Sequence, residues 1–476
     1  MKFINRDKEL KQLERLSDAG KGGMAVLWGR RRVGKTRLLL EWSRRRNGLY
    51  LACDESAPAI QRKYFAERIT ERFSGFNEVD YPDWPSLFNR LSKEAKRQAW
   101  NGPLIIDELP YLAVAAKEIA SVLQRWVDHE AKDANLTLAL AGSSQRMMQG
   151  VVLDRSAPLF GRAAVAMRLM PLLIGCLPEI FNLRHGLQTV MAYSVWGGIP
   201  RYWELAGEYG ADVLAAVDAL LLDPLGPLHD ELDTLLLEEI PPANALRPLL
   251  DAIGLGANRP SEIAGRLGQP VTSLSRPLGH LVDMGIVRRE VPFGESENSS
   301  KRVLYKIADP LTRLWFAVIV PHRSLLMEAA KQVRRKVWIS RKDGIFSMTW
   351  EDMCRSSVCR LTPECGLSAL GPWKPAARFW KGNGPEWDLV SISLDQKHLL
   401  LGEVKWTESV VKSSDIERIF YQLKKKGTPS LRGVEGLKII YAVFIPRHDK
   451  IGSLPDNSFV VDADEVVAAL SEDEHY

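Results

Sequence analysis

The sequence predicts a multidomain α/β protein, and three patterns predict it. Near residue 30 a short apolar stretch runs into a glycine-rich loop and then into a helical pattern. In the middle, two short helical patterns precede a pair of strand-like runs. In the last third, a helical face is followed by apolar runs, two of which carry carboxylates. At 476 residues the chain is too long for one ordinary core, so two to four domains are expected.

Hydrophobic residues make up 46% and charged residues 26% of the chain, the proportions of a soluble globular protein. The net charge of +5 permits nucleic-acid binding without arguing for it. The 5 cysteines are odd in number and lack paired metal-ligand spacing, so buried or free thiols are expected. Apolar runs such as Leu314 to Val320 are too short to span a bilayer, and the charged start does not read as a secretory signal. No membrane partner is expected, and the expected compartment is a reducing cytoplasm.

Met24 to Trp28 is the first short strand. Gly29-Arg30-Arg31-Arg32-Val33-Gly34-Lys35-Thr36 follows it, and Leu38-Leu39-Leu40 continues on a helix. This is the P-loop pattern GxxxxGK[ST] in the strand–loop–helix setting that it requires. Its glycines let backbone N–H groups curl around phosphates, and the helix N-terminus adds the positive end of its dipole. Lys35 is placed to reach the β- and γ-phosphates of ATP, and the Thr36 hydroxyl to ligate Mg²⁺. The candidate nucleotide contacts are Gly29, Arg32, Val33, Gly34, Lys35, Thr36 and Arg37.

A second apolar run, Pro103 to Ile106, ends in Asp107-Glu108. Asp107 suits holding Mg²⁺ through water, and Glu108 suits polarising the attacking water. A third run, Leu136 to Gly142, ends in Ser143-Ser144. Ser143 is a candidate γ-phosphate sensor, or simply part of a turn. Catalytic groups at strand tips fit the rule that open α/β sheets bind ligands at the carboxyl ends of their strands. Arg162 follows the turn Pro158 to Gly161 and is a candidate finger on the γ-phosphate, from its own chain or a neighbour's. By itself Gly197-Gly198-Ile199-Pro200 means only a rigid turn.

Six segments together carry a resemblance: FINRDKEL (3–10), GRRRVGKTRLL (29–39), LIIDELPYL (104–112), LAGSSQRMM (140–148), PLFGRA (158–163) and GGIPRYW (197–203). In content and order they resemble the archaeal-type P-loop ATPases of the AAA+/STAND branch. The resemblance implies that Phe3, Ile4 and Arg6 lie against the nucleotide base. It also implies a finger role for Arg162, and that Pro200 packs near the nucleotide as a reporter of its state.

In the middle third, Leu246, Leu249, Leu250 and Ile253 have helical spacing after the pattern changes at Ala245. Arg259 to Gly268 reads as a short helix, and Val271 to Val282 as the next. Gly285 to Phe293 and Arg302 to Ile307 read as two strands around a polar loop, which completes a winged helix-turn-helix. Sequence-specific DNA reading is one outcome. A module that transmits the nucleotide state between domains is the other. Pro277 is expected to kink the would-be recognition helix, and Arg276 is the one arginine among its exposed positions.

After Lys331 to Lys336, a basic joint, Phe346, Trp350, Met353, Cys354 and Val358 form one helical face with Glu351 beside it. Asp388 lies on one apolar run, and Glu403-Val404-Lys405 ends the next. Asp388, Glu403 and Glu351 are candidate oxygen ligands for Mg²⁺ or Mn²⁺, and Lys405 would orient a metal-bound water. A plain Glu–Lys ion pair at a strand edge is the bland alternative. The D-x14-ExK arrangement, inside RFWKGNGPEWDLV and LLLGEVKW, resembles the PD-(D/E)xK nuclease fold. Trp387 stands where that fold usually has an aliphatic residue. The tail acids from Asp462, Asp464 and Glu465 to Glu472, Asp473 and Glu474 are expected to be solvated.

The expected organisation is a P-loop NTPase core (1–170), a helical lid (171–240), a winged helix (241–310), a linker helix (311–336) and a restriction-endonuclease-like α/β domain (337–476). The expected function is an ATP-driven switch controlling a nuclease-like domain that acts on DNA or RNA. The alternative is a regulatory ATPase whose winged helix and terminal domain only bind DNA or protein. A homo-oligomer is required if Arg162 acts on a neighbour's nucleotide.

Overall fold

A computed structural model of the protein describes residues 3–143, 145–239, 246–296, 302–381 and 384–471. Ser144, Ala245, the polar loop from Glu297, Gly382-Asn383 and the acids Glu472, Asp473 and Glu474 lie outside the described residues. The chain divides into two compact units. One comprises Met1–Leu172 with Ile199–Arg201, and the other Leu173–Gly198 with Tyr202–Tyr476.

The first unit is built on a five-stranded sheet of β1 (Gly23–Trp28), β2 (Leu49–Ala52), β3 (Pro103–Asp107), β4 (Thr137–Gly142) and β5 (Ala163–Arg168). The order is β2-β3-β4-β1-β5, and every neighbouring pair is parallel. Strand side chains alternate, and here both faces are buried, as an all-parallel sheet requires. Met24, Val26, Leu104, Ile106, Leu138 and Leu140 enter one core with the helices Pro58–Thr70, Trp84–Arg97 and Ile119–Asp128. Ala25, Leu27, Ile105, Ala139 and Ala141 enter the other with the helices Asp7–Asp18 and Lys35–Arg46. Parallel strands bring the carboxyl ends of β1, β3 and β4 to one edge, which carries the loop Gly29–Gly34, Asp107-Glu108 and Ser143.

The second unit begins with short helices, of which Gly186–Trp196 is buried along most of its length. Helices Arg247–Gly254 and Pro260–Leu267 follow, then a 3₁₀ turn Val271–Leu274 and the helix Ser275–Asp283. An antiparallel hairpin of β6 (Val287–Glu290) and β7 (Leu304–Ile307) comes next. The expected single helix from Val271 to Val282 is therefore two pieces. Pro277 sits in the first turn of the second piece, where the first backbone N–H groups have no helical partner anyway. The expected mid-helix kink is corrected to a helix start.

Lys331 to Lys336, expected as a basic joint, is helical. It forms the first turns of a 27-residue helix, Lys331–Ser357, because lysine and arginine are good helix formers. The boundary expected after residue 336 thus falls inside a helix. Beyond it lies a second five-stranded sheet of β8 (Ala377–Phe379), β9 (Trp387–Ile392), β10 (His398–Val404), β11 (Lys438–Phe444) and β12 (Ser458–Val461). Its order is β12-β11-β10-β9-β8. The pairs β8/β9 and β9/β10 are antiparallel, and β10/β11 and β11/β12 are parallel. The parallel β10/β11 pair needs a crossover, and helix Ser413–Lys425 supplies it, burying Ile416, Phe420 and Leu423.

Of the first tail acids, Asp464 is exposed as expected, Asp462 and Glu465 are half-buried, and all three make hydrogen bonds. Asp462 caps the helix Ala463–Ala469 by accepting from the Glu465 backbone N–H, and Glu465 returns the bond to Asp462. The Asp464 carboxylate accepts from the Gly186 N–H at 2.6 Å. Within this unit helix Ala463–Ala469 packs so closely that a Cβ on Gly186 would lie 2.4 Å from Ala463 backbone atoms.

Candidate functional site

The loop after β1 turns because two glycines allow it. Gly29 has φ +152°, and a Cβ there would meet the Leu169 carbonyl at 2.5 Å, so any side chain would push the loop off β5's end. Gly34, at φ +97°, forms the N-cap of helix Lys35–Arg46. Lys35 is buried, and its ammonium donates to the carbonyls of Gly29 (2.8 Å) and Arg30 (3.2 Å). The loop's own carbonyls therefore hold this charge in the concavity that the sequence assigns to phosphate.

Thr36 and Asp107 meet although 71 residues separate them: the hydroxyl donates to Asp107 Oδ2 at 2.8 Å. Asp107 is 1% exposed. Its Oδ1 accepts from the Glu108 backbone N–H at 2.9 Å, and its Oδ2 also accepts from the Tyr50 hydroxyl at 2.7 Å. Glu108 has left-handed φ of +53° and opens the helix Leu109–Ala115. Its carboxylate accepts from the Ser143 N–H at 3.1 Å and from the Ser143 hydroxyl. The strand order explains this meeting, since β4 lies between β1 and β3 and sets Ser143 beside the acids.

The remaining sequence candidates fall in three places. Phe3 packs against the core that includes Val33, Leu38 and Leu169. Arg6, 7% exposed, donates to the Val33 carbonyl at 3.0 Å and the Met170 carbonyl at 2.6 Å and pairs with Glu9. Its guanidinium thus braces the phosphate loop from behind. Pro200 stands beside the loop, for a Cβ on Gly34 would lie 3.6 Å from its Cγ. Arg162 forms a two-pronged ion pair with Asp128, both bonds at 2.8 Å, and donates to the Pro158 carbonyl at 2.9 Å. The flanking arginines of the loop are half-buried at Arg32 and exposed at Arg37, and Arg31 donates to the Tyr111 hydroxyl.

In the second unit Asp388 on β9 and Glu403 near the end of β10 are neighbours. Glu403 accepts from Lys405 on one oxygen and from Lys426 on the other, both at 2.8 Å. Burial alone would raise the Glu403 pKa, but these two lysines hold it below its ordinary value. Asp388 accepts from the Val404 N–H at 3.0 Å. Burial, followed by the charge of Glu403, pushes its pKa up. Burial also raises Glu351, whose Oε2 lies 3.5 Å from Arg355. Trp387 is buried, with the Lys426 ammonium 4.8 Å from its ring centroid. Among the described residues, no group of three or more His, Cys, Asp or Glu side chains is arranged to hold a metal ion.

Sequence reasoning missed Tyr50, which reaches Asp107 only through the register of β2 on β3. It also missed Asp352, one residue past Glu351. Asp352 accepts from Arg288, from Arg313 at 2.9 Å and from Arg355 at 2.7 Å. Only the Asp352–Arg355 spacing of three on a helix was visible in advance.

The first unit's strand–loop–helix and paired acids define a P-loop nucleotide-binding core. Residues 3–205 match the family model described as "ATPase domain predominantly from Archaea". Residues 315–419 match a model described as "Archaea bacterial proteins of unknown function". The chain is 28% identical over 447 residues to an uncharacterized protein of Methanocaldococcus jannaschii, covering 93% of this chain and 95% of that one. An uncharacterized ATP-binding protein of the same organism is 51% identical over 37 residues, covering 8% of this chain and 63% of that protein. Among solved structures, the Walker-type ATPase PABY2304 of Pyrococcus abyssi superposes with TM-score 0.49 and 22% identity, covering 66% of this chain and 96% of that one. The ORC2 protein of Aeropyrum pernix gives TM-score 0.43 and 14% identity over 73% of this chain and 95% of that one. No helix among the described residues is long and apolar enough to cross a membrane.

Proposed function

We propose that this chain is a Mg²⁺-dependent, ATP-binding and ATP-hydrolysing switch. One observation carries the proposal: the Thr36 hydroxyl lies 2.8 Å from the Asp107 carboxylate, at the sheet edge that also carries Glu108 and the buried Lys35. A hydroxyl and a buried carboxylate converging there fit Mg²⁺, which Thr36 and Asp107 would hold. When bound, the ion would neutralise charge on the β- and γ-phosphates. Lys35 exchanges its loop carbonyls for phosphate oxygens, so binding replaces bonds rather than desolvating a free ammonium. Glu108 orients and polarises the attacking water once its carboxylate turns from Ser143 to that water. Ser143 is then released to face the γ-phosphate.

The test is ATP binding and turnover in Lys35→Ala and Glu108→Gln. The first is expected to lose nucleotide, and the second to bind ATP and fail to hydrolyse it. Turnover equal to wild type in both variants overturns the assignment.

For the second unit we propose a nuclease-like domain under control of the ATPase. The support is Asp388 and Glu403 on paired strands, followed by the β10–helix–β11 crossover. The side chains as they stand do not fit a divalent cation, because both Glu403 oxygens are taken by lysines, so no cleavage step is derived. Those same contacts favour the second reading, in which this domain and the hairpin module bind DNA, RNA or protein without cutting. Plasmid DNA and RNA incubated with the full chain, ATP and MnCl₂ separate the two. Nicking lost in Asp388→Ala and Lys405→Ala supports the nuclease, and binding without any nicking leaves the regulatory role. A homo-oligomer on adding a non-hydrolysable ATP analogue would support Arg162 acting between subunits.

A further inference from the structure

We propose that Tyr50 is a positioning residue for the magnesium site: its hydroxyl fixes the carboxylate of Asp107 in the orientation that Mg²⁺–ATP requires. This rests on the reading of Asp107 as a holder of Mg²⁺. Tyr50 sits on β2 opposite Ile105 of β3. Ile105 and Asp107 share a face of β3, two residues apart, so the tyrosine ring and the aspartate lie on the same side of the sheet. The ring packs into the core that contains Ile105, Leu38, Leu39 and Trp42, which fixes its direction. Its hydroxyl meets Asp107 Oδ2 at 2.7 Å. The phenol is the donor in this bond and the carboxylate the acceptor.

A carboxylate offers roughly four acceptor positions. Thr36, Tyr50 and the Glu108 N–H occupy three of them on Asp107. The remaining position is aimed by elimination, and a metal-bound water is the donor that suits it. Without the phenol, Asp107 gains a second open position and freedom to rotate, although Thr36 and the backbone bond remain. The loss therefore falls on the metal-dependent part of nucleotide binding and not on Lys35 or the loop.

Tyr50→Phe keeps the ring and removes the hydroxyl. The full-length variant and wild type are titrated with a fluorescent ATP analogue, once in excess EDTA and once across a MgCl₂ series. The expected result is equal affinity in EDTA and a MgCl₂ half-effect concentration about 10-fold higher in the variant, the scale seen when a metal ligand loses its outer partner. Identical MgCl₂ curves overturn the proposal. Equal weakening with and without Mg²⁺ also overturns it, since Tyr50 would then act only on the fold. A wild type whose affinity ignores MgCl₂ shows instead that Asp107 holds no Mg²⁺, and the proposal falls with that reading.

Discussion

Two acidic strand ends in this molecule are alike in sequence and opposite in surroundings. Asp107 and Glu108 are met by neutral donors: hydroxyls of Thr36, Tyr50 and Ser143, and backbone N–H groups. Their negative charge is oriented and left in place. In the second unit Glu403 is met by two cations, Lys405 and Lys426, and Glu351 lies beside Arg355, while Asp388 between them accepts from the Val404 N–H. The charge of Glu403 is largely answered from within the chain. A carboxylate at a strand tip therefore says little until its partners are known. Neutral donors leave an acid ready for an outside cation, and built-in cations do not.

The comparison breaks most visibly at Glu108. Glu108→Gln is expected to slow ATP turnover about 100- to 10,000-fold while ATP still binds, measured by phosphate release and filter retention. A turnover near wild type would place water activation elsewhere. The charge-matched side is tested next at Asp352, which three arginines surround. Asp352→Asn leaves Arg288, Arg313 and Arg355 facing a neutral amide and is expected to cost about 3–5 kcal/mol in denaturant unfolding. Burial alone would raise the Asp352 pKa, but the charges of Arg288 and Arg313 hold it below the usual carboxylate range. Its stabilisation is thus present above the unfolded carboxylate pKa. It is lost as the pH falls through the lower, folded value, so wild type and variant converge only in strong acid.

A smaller effect sharpens the contrast at Glu403. Lys426→Met removes one of its two cations, with Lys405 still in place. A loss of about 1–2 kcal/mol is expected, because both partners keep some solvent. In a background lacking nucleotide-site metal through Asp107→Ala, MnCl₂ is expected to raise the melting temperature of the Lys426→Met protein and not that of its parent. A parent that responds equally would show that the cluster takes cations as built. The smallest effect is at Arg162, whose ion pair with Asp128 is partly exposed. Arg162→Ala should change stability by less than about 1 kcal/mol. A large drop in turnover without loss of stability would assign it to the γ-phosphate, and ATP-dependent oligomer formation would then say whose.

The nucleotide loop and the acids of β3 were legible because their signals are local. A glycine-rich turn between an apolar strand and a helix, and an apolar run ending in acids, need no knowledge of distant neighbours. Strands β9 and β10 of the second sheet were legible for the same reason. Tyr50 was not, since nothing in Leu49-Tyr50-Leu51 marks its tip until β2 is set against β3. The partners of Asp352 come from β6 and from helix Pro310–Leu314, 64 and 39 residues away, and sequence carries no trace of such pairings. Pro277 and Lys331 to Lys336 misled in the same way. A proline inside an apolar pattern lies in the first turn of one helix, and a basic run read as a joint forms the first turns of another.

The insertion of β4 between the gripping strand and the acidic strand also sets a measure of length. Two inter-strand steps, roughly 9–10 Å, separate the root of the phosphate loop from the root of Glu108. On the proposed reading, that gap is a ruler. Ser143 stands at the tip of the middle strand, part-way across, so a nucleotide with its third phosphate would reach it and one shortened by hydrolysis would stop short. The two states would then be told apart at that middle tip, while the lysine end feels much the same hold in both.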